Sequence, residues 1–172
     1  GFSSRTTNNL EMLIEAANLV VVSTEPLAEK MRSLNHNVAI APNTLSEFTW
    51  LRPIEPCSDL PVSLFKKKSD RFKILYLNNS DRAKELEMIR PVFEELEREG
   101  HPVELFVIGG ELKEEPSWYQ HISIPAQRQN YSQFVDWFRG IASYCDLAIA
   151  PLVDTDINRY KSGLHFLQYS VV

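Results

Sequence analysis

The sequence predicts an α/β protein, a Rossmann-like parallel sheet with flanking helices. Three observations carry that expectation. Short apolar runs of strand length recur along the chain, stretches with helical spacing separate many of them, and most of the connections are short. Helix and strand alternating in this way is the pattern of parallel βα units. A chain of 172 residues, 44% of them apolar, is long enough to bury a core.

Taken in order, Gly1-Phe2-Ser3-Ser4 starts no element and reads as a cut end. Asn8 or Asn9 can cap a helix whose Leu10, Leu13, Ile14 and Ala17 keep helical spacing. Leu19 to Val22 reads as a buried strand. Thr24 can cap the next helix, with Pro26 tolerated in its first turn and Leu27, Met31 and Leu34 in one stripe. Val38 to Ala41 is a second strand, stopped by Pro42. From Asn43 to Arg71 the periodicity fails: Pro53, Pro56 and Pro61 are interspersed with single apolar residues and followed by Lys66-Lys67-Lys68. We therefore expect residues 1–45 to close one domain, 46–71 to form a linker with Trp50 and Leu51 packing on one of the bodies, and 72–172 to form a second domain.

In that second region Phe72 to Leu77 is a strand, followed by the polar turn Asn78-Asn79-Ser80-Asp81. A helical pattern runs from about Ala83 to Glu99, with Leu86, Ile89, Phe93 and Leu96 on one face and Gly100 as its stop. Pro91 lies inside it, so the helix either kinks or begins there. Val103 to Ile108 is the next strand, closed by Gly109-Gly110. Ile122 to Ile124 reads as a short strand on the edge side. Tyr131, Phe134, Val135, Phe138, Ile141 and Ala142 make the face of a helix that ends before Cys145. Leu147 to Ala150, ending at Pro151, has the composition of a buried parallel strand.

Composition narrows the function. A net charge of −5 and a pI near 5.4 argue against a nucleic-acid partner, and the lysine run reads as a solvated linker. Two cysteines, Cys57 and Cys145, in dissimilar contexts fit a reduced cytosolic protein. No apolar run approaches the about 20 residues that cross a bilayer, and residues 1–20 lack a signal-peptide pattern. A peripheral contact with the inner face of a membrane stays open.

The stretch with the most chemistry is Asp146 to Ser170. Between its strand and a helix expected to begin near Ser162 lies a loop holding Asp154, Asp156, Asn158, Arg159, Lys161 and Ser162. In an open α/β sheet ligands bind at the carboxyl ends of the strands, and a helix N-terminus there favours an anion. Solvation of a surface connection is the plain alternative. Asp154 and Asp156 suit sugar hydroxyls or general-base work, though capping is the ordinary use of a loop aspartate. His165 stands one helical turn from Lys161 if both are helical. The turn Asn78 to Asp81 could cradle a phosphate with Arg82 as counter-charge. Gly109-Gly110 would admit a ligand to the backbone, or be a simple tight turn. No GxxxxGK[ST] or strand-following GxGxxG is present, and no nucleophile triad or metal cluster emerges.

The run DLAIAPLVDTDINRYKSGLHFLQYS from Asp146 to Ser170 resembles the D-x-x-I-A-P-L … F-N-x-x-K-S-x-x-K-x-x-E-Y signature of glycosyltransferases of group 1, family 4, which have the GT-B fold. Lys73 to Leu77 is similar to the first strand of that family's C-terminal, donor-binding domain, and Phe106 to Gly110 to its x-x-I-G strand end. Val21 to Thr24 and Ala41 to Asn43 resemble the last strands of its N-terminal, acceptor domain.

The resemblance implies that residues 1–45 end the acceptor domain and that 72–172 are a truncated nucleotide-sugar-binding domain. It implies transfer of a hexose-type sugar from a nucleotide diphosphate sugar to a sugar or lipid-linked acceptor, with retention and without a required metal or other cofactor. Donor-site positions would be Asn158, Lys161 and Ser162, with Asp154, near the sugar and diphosphate. Asn79, Ser80 and Arg82 would lie beside the diphosphate, and Gly109 and Gly110 lead towards the base. Gln168 stands where the family has a ribose-binding glutamate. It keeps hydrogen-bonding capacity without the carboxylate's charge. The turn after the first strand is Asn-Asn-Ser rather than glycine-rich. The chain stops before the family's Gly-x-Pro segment, so we expect a piece that is inactive alone, with its catalytic base elsewhere. The readings left beside this one are a non-catalytic scaffold of GT-B shape and a nucleotide-sugar epimerase, whose catalytic carboxylates and histidine are not found.

Overall fold

Parallel pairing of every described strand gives the Rossmann-like α/β arrangement that the alternating pattern predicts. The structure is a computed structural model, and it describes residues 4–54, 57–61, 71–78, 83–110 and 117–172. In chain order the elements are α1 (Ser4–Ala16), β1 (Val20–Val22), α2 (Glu25–Arg32), β2 (Val38–Ile40), α3 (Glu47–Trp50), β3 (Phe72–Leu77), α4 (Ala83–Arg98), β4 (Val103–Ile108), β5 (Gln120–Ile122), α5 (Tyr131–Ala142), β6 (Leu147–Ile149), α6 (Asp156–Arg159) and α7 (Leu164–Ser170). The chain divides into two compact units, one of residues 1–44 and 154–164 and one of residues 45–153 and 165–172.

In the first unit β1 and β2 pair in parallel, Val20 opposite Val38 and Val22 opposite Ile40. Thr24 caps α2 as its sequence suggests: its Oγ1 accepts from the Leu27 N–H at 3.3 Å, and Pro26 sits in the first turn. Helix α1 differs from expectation. Asn8 and Asn9 do not cap it but lie inside it, exposed, where water satisfies their amides and the propensity cost is below about 0.7 kcal/mol each. Its far end is closed by Asn35, 6% exposed, whose Nδ2 donates to the carbonyls of Ile14 (2.8 Å) and Ala17 (2.7 Å) while its Oδ1 accepts from Asn37 N (2.8 Å). The strand β1 is not fully buried: Val22 is covered, but Val21 is exposed.

The second unit holds a four-stranded sheet in the order β5-β4-β3-β6, all parallel. Side chains alternate across it. Leu75, Leu77, Phe106 and Ile108 pack with Val135, Trp137, Phe138 and Ile141, which come from α5. Ile74, Tyr76, Leu105 and Val107 pack with Leu86 and Phe93 of α4. Cover on both faces explains why β3 and β4 read as unbroken apolar runs. Helix α4 passes through Pro91 without ending. Pro91 and Glu87 are both exposed, so the carbonyl left without its donor can be hydrated. Gly100, at φ 80°, closes the helix as the His101 N–H reaches Leu96 O at 2.9 Å.

Further expectations change in this unit. The strand expected at Ile122 to Ile124 is shifted to Gln120–Ile122, because β4 offers partners only up to Ile108. It does lie at an edge. The strand β6 is the opposite edge rather than a buried strand, and Leu147 is 47% exposed. The described part of the stretch expected as a linker carries α3 and is fastened to α5. Trp50, 1% exposed, meets Phe138 edge-on (6.1 Å) and donates from Nε1 to Tyr131 Oη (3.0 Å). Arg52 donates to Asp136 Oδ2 (2.5 Å) and Ser132 Oγ (2.9 Å), Arg139 donates to Arg52 O (2.7 Å), and Asp59 accepts a two-pronged bond from Arg128 (2.7 and 2.9 Å). Leu51, expected to pack beside Trp50, is exposed. The Lys66–Lys68 run lies outside the described residues.

Candidate functional site

The sheet order places a topological switch point in the second unit. From β3 the chain crosses to β4 and β5 on one side, then returns to β6 on the other, and the carboxyl ends flanking such a switch point are the position where open α/β sheets bind ligands. Pairing of β3 with β6 stops at Tyr76 opposite Ile149. The next N–H, that of Leu77, is accepted by Tyr169 Oη of α7 at 2.9 Å. Tyr169 also stacks on Phe138, centroids 6.1 Å apart. Through this one side chain α7 is fixed to the end of β3. Its neighbour Gln168 is 6% exposed.

At the ends of β3 and β4, Gly109 and Gly110 both take positive φ, 76° and 82°. The group that approaches them is Asn78. A Cβ on Gly109 would stand 2.7 Å from Asn78 O, and one on Gly110 would stand 2.9 Å from Asn78 Nδ2. Gly109 is therefore required by this backbone contact as well as by its conformation, and Gly110 chiefly by its conformation. Asn78 N donates to Ile108 O at 2.8 Å, and its buried Oδ1 has no hydrogen-bond partner among the described residues. His121 of β5 closes the other side, with Nε2 at 3.1 Å from Gly109 O and 3.2 Å from Gly110 O. Asn79, Ser80 and Arg82 lie outside the described residues.

The loop residues belong to the first unit. Thr155 caps α6, its Oγ1 accepting from Asn158 N at 3.2 Å. Arg159 reaches back to Asp154 with two bonds, 2.9 and 3.1 Å, and lies 3.8 Å from Asp156. The guanidinium holds the Asp154 carboxyl below the usual carboxylate range. A carboxylate held down in this way is a poor proton acceptor, which disfavours the general-base role and leaves hydrogen bonding to hydroxyls. Ser162 Oγ accepts from Asn43 Nδ2 at 2.6 Å, and Thr24 Oγ1 donates to Tyr160 O at 2.9 Å. The Lys161 ammonium group sits on an exposed side chain.

Helix α7 begins at Leu164, so Lys161 and Ser162 precede it rather than start it. Their backbone completes the turn after α6, where Lys161 N donates to Asn158 O at 3.2 Å. The single helical turn that would join Lys161 to His165 is absent. His165 is half-buried with its ring 6.3 Å from that of Tyr169. Cys145, before β6, has its thiol pushed up to about 12 by burial and is no nucleophile.

Sequence reasoning placed Asn78 in a phosphate-cradling turn without foreseeing its contact with Gly109 and Gly110, and it overlooked His121 and Tyr169. Tyr169 carried a signal, since it ends the quoted motif, whereas nothing in the spacing around His121 marks it. Among the described residues no group of three His, Cys, Asp or Glu is placed to hold a metal ion, and no helix is long and apolar enough to cross a membrane. In comparison with known proteins, no family model matches the chain and no curated protein matches it.

Proposed function

We propose that this chain is the donor-binding part of a retaining GT-B glycosyltransferase that moves a hexose-type sugar from a nucleotide diphosphate sugar to a sugar or lipid-linked acceptor in the cytoplasm. The observation that supports this best is the switch point in the strand order of the second unit. Beside it lie the Asn78–Gly109–Gly110 contact and α7 with Gln168, which Tyr169 ties to the end of β3. In this reading Gln168 hydrogen-bonds the ribose. Asn158, Lys161 and Ser162 serve the sugar and the diphosphate, with Asn79, Ser80 and Arg82 beside it. The departing diphosphate accumulates negative charge, and a lysine with backbone N–H donors lowers the barrier by meeting that charge. No metal is required by this scheme.

Calorimetric titration of the chain with UDP, GDP and ADP, with and without their sugars, tests the proposal. One nucleotide is expected to saturate, and Lys161→Ala is expected to weaken it by about tenfold, the order of one charge-assisted hydrogen bond. The scaffold reading draws support from Gln168 and from the Asp154–Arg159 pair, which neutralises one cation of the loop internally. No binding of any nucleotide to the folded chain would favour it.

A further inference from the structure

We propose that His121 is a positioning residue of the proposed nucleotide site, clamping the Gly109–Gly110 turn and so fixing the backbone that a bound nucleotide would meet. The identity of the ligand rests on the donor-binding reading above. The clamp itself rests on geometry alone.

The imidazole Nε2 lies 3.1 Å from Gly109 O and 3.2 Å from Gly110 O. Carbonyl oxygens only accept, so Nε2 must carry the proton and donate to both in a three-centre bond. This fixes the tautomer. The turn needs such a restraint. Two successive glycines at φ 76° and 82° have no Cβ to confine them, and each visits positive and negative φ with similar ease. The last ladder bond here is Gly109 N to Ile122 O at 3.0 Å, and the described structure adds no backbone bond at Gly110. Asn78 presses on the pair from β3, and His121 holds it from β5. A turn already held in its bound shape spares the ligand the cost of ordering it.

His121→Ala and His121→Gln in the full chain test the clamp in three ways. Long-range proton–nitrogen correlation at pH 8 should show Nε2 protonated and Nδ1 bare. Amide hydrogen exchange at Gly109 and Gly110 should quicken by about tenfold or more in His121→Ala, as local opening loses its restraint, and stay near the native rate in His121→Gln, which keeps an N–H donor. The nucleotide that the native chain binds should bind His121→Ala about tenfold more weakly through lost preorganisation. The melting temperature should be nearly unchanged, and His121→Gln should recover most of the loss.

An Nδ1–H tautomer, or unaltered exchange in His121→Ala, overturns the clamp. Undiminished affinity in His121→Ala overturns the positioning role. If the native chain binds none of UDP, GDP and ADP, the donor-binding reading falls and the positioning role with it, while tautomer and exchange still decide whether the clamp exists.

Discussion

Replacing glycine with alanine at positions 100, 109 and 110 adds the same methyl group to the same kind of backbone, since φ is 80°, 76° and 82°. What the methyl meets differs. At Gly100 nothing lies within 4 Å, at Gly110 the nearest atom is the Asn78 amide nitrogen at 2.9 Å, and at Gly109 it is the Asn78 backbone oxygen at 2.7 Å. An L-residue at positive φ costs about 1–2 kcal/mol, offset by about 0.4–1 kcal/mol from the narrower unfolded ensemble. Gly100→Ala should therefore cost about 1 kcal/mol. The Asn78 side chain can swing away, so Gly110→Ala should cost only slightly more, about 1.5 kcal/mol. Asn78 O cannot move so freely, because the same residue is locked to Ile108 by its N–H. Forcing that backbone apart adds about 1–3 kcal/mol, bringing Gly109→Ala to about 3 kcal/mol. Urea unfolding followed by tryptophan fluorescence reads this directly, as Trp50, Trp118 and Trp137 all belong to the second unit. The midpoint should fall by about 1 M or more for Gly109→Ala. A Gly109→Ala variant no less stable than Gly100→Ala would refute the close approach.

Other consequences are open to simple measurements. Arg128 holds the Asp59 carboxyl below its usual range, so the pair's stabilisation is complete above the unfolded value of about 3.9 and disappears as the pH falls through the lower folded value. Asp59→Asn should cost about 1–2 kcal/mol at pH 7, with the gap closing on acidification; a gap independent of pH would rule out the charge as its source. Tyr169→Phe strands the Leu77 N–H at the end of β3 and should cost about 1–2 kcal/mol in the same urea assay, where native stability would contradict the bond. With its thiol pushed up to about 12, Cys145 should resist iodoacetamide at pH 8 in the folded chain and react once urea unfolds it. Peptide mapping by mass spectrometry shows which occurs, and rapid native labelling would contradict its burial.

The elements most legible in the sequence were those whose signal is local. β3 and β4 were readable because both faces of the sheet are covered, and Thr24 because its cap is made within one turn. Asn8 and Asn9 misled because an exposed asparagine is tolerated inside a helix as well as at its start. The stretch after Asn43 was opaque for a different reason. Trp50, Arg52 and Asp59 bond to Tyr131, Asp136 and Arg128, partners some 69 to 84 positions away, and such pairings leave no period. Asn158, Lys161 and Ser162 were singled out because a motif runs continuously through them. The meeting of Asn78 and His121 with Gly109 and Gly110 across three strands is, by contrast, a product of sheet pairing alone.

The companionship of residues 154–164 with residues 1–44 bears on how the protein can be divided. A cut at residue 45 looks natural to anyone reading helix–strand repeats, yet it removes both Thr24 and Asn43, the donors that hold Tyr160 and Ser162. A shortened protein starting there would carry Lys161 on a tether whose anchors had been discarded. Silence from such a truncate in a nucleotide titration would report the missing anchors rather than the loop's chemistry, because the loop's shape is held by residues 1–44.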